Sequence, residues 1–179
     1  MTLHLQQKPR AHAATGLISA EGKAPSSANS HFLHAGQVYV SACSEPIVLI
    51  LGSCVSVCIW DPIHAVGGAT HYLLPEWDGR GTSSPRYGNI AISSLLQKLA
   101  DAGADRELLR AKVFGGGCLF GITLESNSKK DHLGSRNVEI ATEILAKGRI
   151  PVVASNVGGA RGKRIVFQTA TGEADVREL

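Results

Sequence analysis

The 179-residue chain is short of aromatic residues, of cysteine and of unbalanced charge. Lys and Arg number 18 against 15 Asp and Glu, and the net charge of +3 is spread along the chain, so no basic footprint for nucleic acid is present. Four cysteines, Cys43, Cys54, Cys58 and Cys118, are too few for a disulfide scaffold and lack the paired Cys-x-x-Cys spacing of zinc sites. Unpaired thiols fit a reducing compartment. No basic stretch followed by an apolar core and a small-residue cleavage site opens the chain, so secretion is not expected. The most apolar stretch, residues 46–60, falls short of the roughly 20 residues a spanning helix needs. It is also interrupted by Gly52-Ser53 and stopped by Asp61-Pro62. A cytoplasmic location and no membrane insertion are expected.

What remains is a hydrophobic share of 44%, with 20 Gly and 7 Pro. That excludes a disordered chain and suits one domain with a real core. Residues 1–33 mix Gln, Ala, Ser, Lys, Pro and three His without a period, which predicts a flexible tail ahead of a domain over 34–179. The spacing of His4, His12, His31 and His34 fits no metal site.

Order is expected from about Gly36. Alternation predicts a half-buried strand over 37–41, and the aliphatic run predicts a fully buried strand over 47–51. Residues 54–60 alternate again, with Cys54, Ser56, Cys58 and Trp60 on one face and Val55, Val57 and Ile59 on the other. Asp61-Pro62 opens a turn into a strand over 66–74. Residues 76–87 form a loop long enough to shape a binding mouth. Ile92, Leu95, Leu96 and Leu99 mark a helix that stops at Gly103. A short strand over 111–114 runs into Gly115-Gly116-Gly117, and a polar loop is expected over 127–133. A second helix is expected over 135–147, with Ser135 as N-cap and Gly148 as breaker. A buried strand over 150–155, a Gly/Arg loop over 156–163 and a hairpin around Thr171-Gly172 close the chain. About seven strands with two or three helices predict a layered α/β (α+β) sandwich with mixed sheets.

Two residues in this frame carry chemistry. If Asp61 to His64 form the hairpin loop, residues whose numbers sum to 125 lie opposite each other, and Cys54 faces His71. Directly opposed residues have Cα atoms about 4.5–5.5 Å apart, within reach of a thiol–imidazole contact. An imidazole can take the thiol proton, and Gly52-Ser53 lets a substrate carbonyl approach backbone N–H groups. A small buried thiol beside a satisfied strand histidine produces the same pattern, and the pattern alone leaves both readings open.

The segment Leu51-Gly52-Ser53-Cys54-Val55-Ser56-Val57-Cys58-Ile59-Trp60-Asp61-Pro62 and the segment Gly68-Ala69-Thr70-His71-Tyr72-Leu73-Leu74-Pro75 resemble the CheD family of chemoreceptor glutamine deamidases. Arg86-Tyr87-Gly88, Lys112-Val113-Phe114-Gly115-Gly116-Gly117-Cys118-Leu119-Phe120, Gly134-Ser135-Arg136-Asn137-Val138 and Asn156-Val157-Gly158-Gly159-Ala160-Arg161-Gly162-Lys163 extend the likeness over about 36–176. The resemblance implies Cys54 as nucleophile, His71 as its base, and a layered α/β fold related to the cytotoxic necrotizing factor toxins. It implies conversion of receptor glutamines to glutamate through a thioester. Gly52, Ser53, Thr70 and Asn156 are expected to bind substrate or shape the site. The expected partners are cytoplasmic domains of methyl-accepting chemotaxis receptors and a CheC-type phosphatase, with no cofactor and no metal. The family's orienting Thr has no counterpart, since residues 46–51 read Pro-Ile-Val-Leu-Ile-Leu. Ser53, Ser56, Thr70 or a backbone carbonyl could take that part.

Other features weigh less. Gly115-Gly116-Gly117 lacks the remaining elements of a phosphate loop, and close backbone packing is expected there. Cys118 has no His nearby in sequence. Cys54 and Cys58, four apart on a strand, lie about 13 Å apart, too far for one tetrahedral zinc. Arg161, Lys163 and Arg164 form either a solvated face or a docking patch for an acidic receptor. A non-catalytic adaptor that binds receptors or a CheC-type phosphatase and a thiol redox sensor are the competing functions, though an adaptor has no use for both Cys54 and His71.

Overall fold

In the computed structural model, residues 30–118 and 133–179 are described. Residues 1–29 of the expected tail and 127–132 of the expected polar loop lie outside them. Nine strands and two α-helices are present among the described residues. They are β1 (His31–Phe32), β2 (Gln37–Ser41), β3 (Pro46–Leu51), β4 (Val55–Asp61), β5 (Val66–His71), α1 (Gly88–Asp101), β6 (Arg110–Gly115), α2 (Leu133–Lys147), β7 (Val152–Val157), β8 (Lys163–Gln168) and β9 (Ala174–Glu178). One sheet has the order β1-β3-β8-β9 and the other β2-β5-β4-β6-β7, and both mix parallel and antiparallel pairs. The layered α+β sandwich expected from the sequence is the fold observed.

The layers follow from the alternation in β4. Val55, Val57 and Ile59 join Ile92, Leu95 and Leu99 of α1 and Ala141 and Leu145 of α2 in one core. Cys58 and Trp60 join Leu49 and Leu51 of β3 and Ile165 and Phe167 of β8 in a second core between the sheets. Every residue of β4 is therefore buried. The folded unit begins earlier than position 34, because His31–Phe32 pairs in parallel with Ile47 and Val48 and Leu33 is only 1% exposed.

Both helices end in a Schellman arrangement, but not always at the expected residue. Gly103, at φ +93°, closes α1, with Ala104 N donating to Leu99 O. After α2 the left-handed residue is Arg149 (φ +57°) rather than Gly148, with Ile150 N donating to Leu145 O. Ser135 is not an N-cap: α2 starts at Leu133, which places Ser135 in its first turn. The strand expected to be buried near 150–155 is instead β7, and all six of its residues are exposed. As the edge strand of its sheet it joins neither core.

The β4–β5 hairpin departs from the expected register. Asp61 pairs with Val66 and Cys58 with Ala69, so opposed residues sum to 127 and the loop is Pro62 to Ala65. His71 therefore faces Ser56, not Cys54. Asp61 sets this register. Its buried carboxylate accepts from Ile63 N (2.8 Å), His64 N (3.1 Å) and His64 Nδ1 (2.7 Å), and Ala65 turns the chain at φ +56°. The carboxylate also accepts from Asp105 N (2.8 Å), tying the hairpin tip to the segment after α1.

Burial pushes the Asp61 carboxyl upward, but the hydrogen bonds it accepts outweigh that and hold it at about 2, below its ordinary 3.8. A carboxylate whose folded pKa is depressed stabilises above the unfolded pKa, and the gain is lost as pH falls towards the folded one. Asp61→Ala is expected to lose roughly 2–4 kcal/mol at pH 7, through three stranded backbone donors. The gap from wild type should narrow between pH 3.8 and about 2. Urea unfolding at several pH values checks both outcomes; a constant gap would show that the carboxylate charge is not what holds the loop.

Candidate active site

The residues expected to act lie where β3 ends and β4 begins, beside the end of β5. The link Gly52-Ser53-Cys54 is held through successive carbonyls. Gly52 O accepts from Gly117 N (2.8 Å), Ser53 O from the Asn137 side-chain amide (3.1 Å) and Cys54 O from Gly116 N (2.8 Å). Val55 then exchanges both backbone hydrogen bonds with Tyr72. Gly115 approaches so closely that a Cβ there would lie 2.2 Å from Cys54 O, and its φ of +100° also favours glycine. A Cβ on Gly116 would meet Val138 and Gly134 of α2. The glycine run is thus the close backbone packing expected beside the site.

Cys54 is half-buried and packs against the core between the sheets. Because Ser56 faces His71, Cys54 is the diagonal neighbour of His71 on the same face, where Cα atoms are generally about 7–8 Å apart. The two are brought to one place, though not as the directly opposed pair expected. No hydrogen bond joins their side chains among the described residues.

His71 is 5% exposed, and its Nδ1 meets Leu33 O at 3.0 Å. A carbonyl only accepts, so Nδ1 carries the hydrogen and, in the neutral ring, Nε2 presents its lone pair. No protein group among the described residues meets Nε2. Of the candidates to orient His71, the backbone carbonyl is the one found. Ser56 Oγ lies 3.5 Å from Cys58 Sγ, and Thr70 Oγ1 accepts from Val57 N at 3.0 Å. Thr70, adjacent to His71 in the strand, is on the opposite face, so it does not join the pair.

Burial dominates the electrostatics. It raises the Cys54 thiol above its ordinary value, against the opposing pull of the residue's own backbone N–H. It lowers His71, against the pull of the Leu33 carbonyl and with a further push from His34. Both shifts favour an uncharged thiol and an uncharged imidazole at rest. Cys58 is pushed up to about 12 by complete burial, which leaves it a packing residue.

Asn156 lies on exposed β7, and its carbonyl accepts from Lys163 Nζ at 3.2 Å. Lys163, grouped with Arg161 and Arg164 as a surface patch, is only 4% exposed and also donates to Gly158 O at 2.8 Å. Gly158 N donates to Gly115 O, so this ammonium braces the strand behind the glycine run. Two contributors to the site went unassigned in the sequence. The Leu33 carbonyl leaves no side-chain signal. Asn137 does leave one, as a polar residue in line with Ala141 and Leu145 on the buried stripe of α2.

A family model described as CheD chemotactic sensory transduction matches residues 73–178. This chain belongs to the CheD family. A protein of Trichlorobacter lovleyi named probable chemoreceptor glutamine deamidase CheD is 44% identical over 142 residues, covering 79% of this chain and 86% of the relative. A protein of Anaeromyxobacter dehalogenans with the name probable chemoreceptor glutamine deamidase CheD 1 is 44% identical over 148 residues, 83% of this chain and 84% of its own. A Sulfurimonas denitrificans protein named like the first is 38% identical over 141 residues, 79% of this chain and 88% of its own. Membership in CheD agrees with the motif reading. No helix among the described residues is long and apolar enough to cross a membrane.

The tautomer gives a direct check. Nitrogen-15 NMR of the His71 ring at pH 7 should show Nδ1 protonated and Nε2 bare, with a titration midpoint below the ordinary 6.5. A midpoint above 6.5 would mean that a neighbouring anion, not burial, sets the ring.

Proposed function

We propose that this chain hydrolyses side-chain amides of glutamines in the cytoplasmic domains of methyl-accepting chemotaxis receptors, with Cys54 as nucleophile and His71 as base. The names of its relatives support the substrate class. The observation that carries the mechanism is the His71–Leu33 hydrogen bond, which leaves Nε2 as a proton acceptor on the face that Cys54 shares.

Cys54 Sγ attacks the amide carbonyl carbon as its proton passes to His71 Nε2, so no resting ion pair is needed. The tetrahedral oxyanion takes hydrogen bonds from nearby backbone N–H groups. The C–N bond then breaks, His71 returns the proton to the leaving nitrogen, and ammonia departs from a thioester. Water, giving a proton to His71, hydrolyses the thioester; the thiol is restored and a glutamate carboxylate remains. Each turnover adds one negative charge to a receptor helix and creates a methyl-accepting side chain. The buried neutral imidazole fits this order, because it must be uncharged to begin the cycle and only transiently charged within it.

Incubation with receptor cytoplasmic fragments should raise peptide mass by about one unit at each modified glutamine, the difference between amide and carboxylic acid. Cys54→Ala should abolish the gain, and His71→Ala should lower kcat by about 10²–10⁴-fold. The acid limb of kcat/KM should fall below pH 6.5, as directed by the lowered His71. Receptor binding by wild type without any mass gain would make the chain an adaptor, and undiminished activity in Cys54→Ala would remove the nucleophile.

A further inference from the structure

We infer that Asn137 is a positioning residue that aims the Cys54 backbone N–H as an oxyanion donor; the inference rests on Cys54 being the nucleophile. Asn137 is fully buried in α2, and its Nδ2 donates to Ser53 O at 3.1 Å and to Leu73 O at 2.9 Å. Two carbonyls on one nitrogen fix the orientation of the amide, since the oxygen could not replace it there. The side chain thereby joins the peptide just before the nucleophile to the segment just after His71.

The geometry of the peptide unit supplies the rest. The Ser53 carbonyl and the Cys54 N–H belong to one trans peptide, in which C=O and N–H point in opposite directions. Holding Ser53 O against α2 turns the Cys54 N–H away from α2. That N–H makes no backbone hydrogen bond among the described residues, whereas Cys54 O is held by Gly116 N. It lies beside its own sulfur, and draws the thiol downward from that position. A donor next to the attacking atom is where the oxygen of a tetrahedral adduct needs one.

A purely structural role fits the side chain less well. The helix is already tied to the end of β5 by Tyr72, the residue that follows it, whose hydroxyl donates to the Asn137 backbone carbonyl. No protein group among the described residues meets Asn137 Oδ1, so only the donor half of the amide is engaged. Packing alone would be met by an apolar residue of similar size, which would leave the Ser53 and Leu73 carbonyls without this donor.

The test separates oxyanion support from thiol reactivity. In Asn137→Leu, kcat for receptor deamidation should fall about 10²–10³-fold, the loss expected for one oxyanion donor. KM should stay within about twofold, and alkylation of Cys54 by iodoacetamide, which forms no oxyanion, should stay within about threefold at each pH. Asn137→Asp keeps the size but puts an acceptor against the two carbonyls, and the same split is expected should the Leu variant not fold. Tyr72→Phe removes the other helix tether, and should lower the melting temperature while leaving kcat within about twofold. A folded Asn137 variant with full kcat overturns the inference. So does a parallel fall in kcat and alkylation, or a Tyr72→Phe variant as inactive as Asn137→Leu. Activity remaining in Cys54→Ala would instead defeat the nucleophile assignment itself.

Discussion

The site depends on the fixing of three successive carbonyls. Gly52, Ser53 and Cys54 lie between β3 and the fully buried β4, yet their carbonyls are not held by a common ladder. Gly117 N takes the first, the Asn137 amide the second and Gly116 N the third. The link thus belongs at once to the strand before it, the glycine run after β6 and the helix α2. A backbone held at three consecutive peptides by separate elements has little freedom to rotate its N–H groups. The glycines that make this possible are required by space: any side chain at Gly115 would strike the Cys54 carbonyl. Lys163, buried behind them, holds the neighbouring strand end through the Asn156 and Gly158 carbonyls.

Burial sets the chemistry available to this framework. A thiol raised and an imidazole lowered by the same cause do not form a stable ion pair at rest. In the proposed mechanism the proton moves when the amide arrives, and the charge appears on the oxyanion and imidazolium together. Stabilisation is then worth most at the moment of attack, because fixed donors in a poorly hydrated site need no reorganisation. A pre-formed thiolate would place the charge on sulfur earlier and leave less for the oxyanion donors to do.

The layers were legible in the sequence because β4 alternates cleanly, with Val55, Val57 and Ile59 turned to the helices and Cys58 and Trp60 to the second sheet. The two residues proposed as the pair were named from motifs. Their geometry was not legible, because two residues of register depended on Asp61 acting as the last paired residue of β4 rather than the first of the turn. Asp-Pro is a strong turn signal, but the buried carboxylate caps the loop from within the strand and outweighs it. The exposure of β7 was missed for another reason. An aliphatic run predicts burial only where other layers extend over it, and an edge strand can lie beyond them.

The departure from the family pattern ahead of Gly52 has a physical resolution. Residues 46–51 carry no hydroxyl, and the Leu33 carbonyl stands at His71 Nδ1 instead. A hydroxyl can donate or accept, so it tolerates either imidazole tautomer; a carbonyl accepts only and excludes the one with hydrogen on Nε2. The Leu33 carbonyl therefore specifies the tautomer that the proposed mechanism uses more strictly than a hydroxyl would. It also makes the histidine depend on β1, a two-residue strand secured by its parallel pairing with β3, by Leu33 N donating to Val48 O and by the burial of Leu33. Gly36 N donates to the His71 carbonyl three residues later, so the same stretch of chain holds the histidine through both ring and backbone. The entry of the chain into the fold is in this way part of the site.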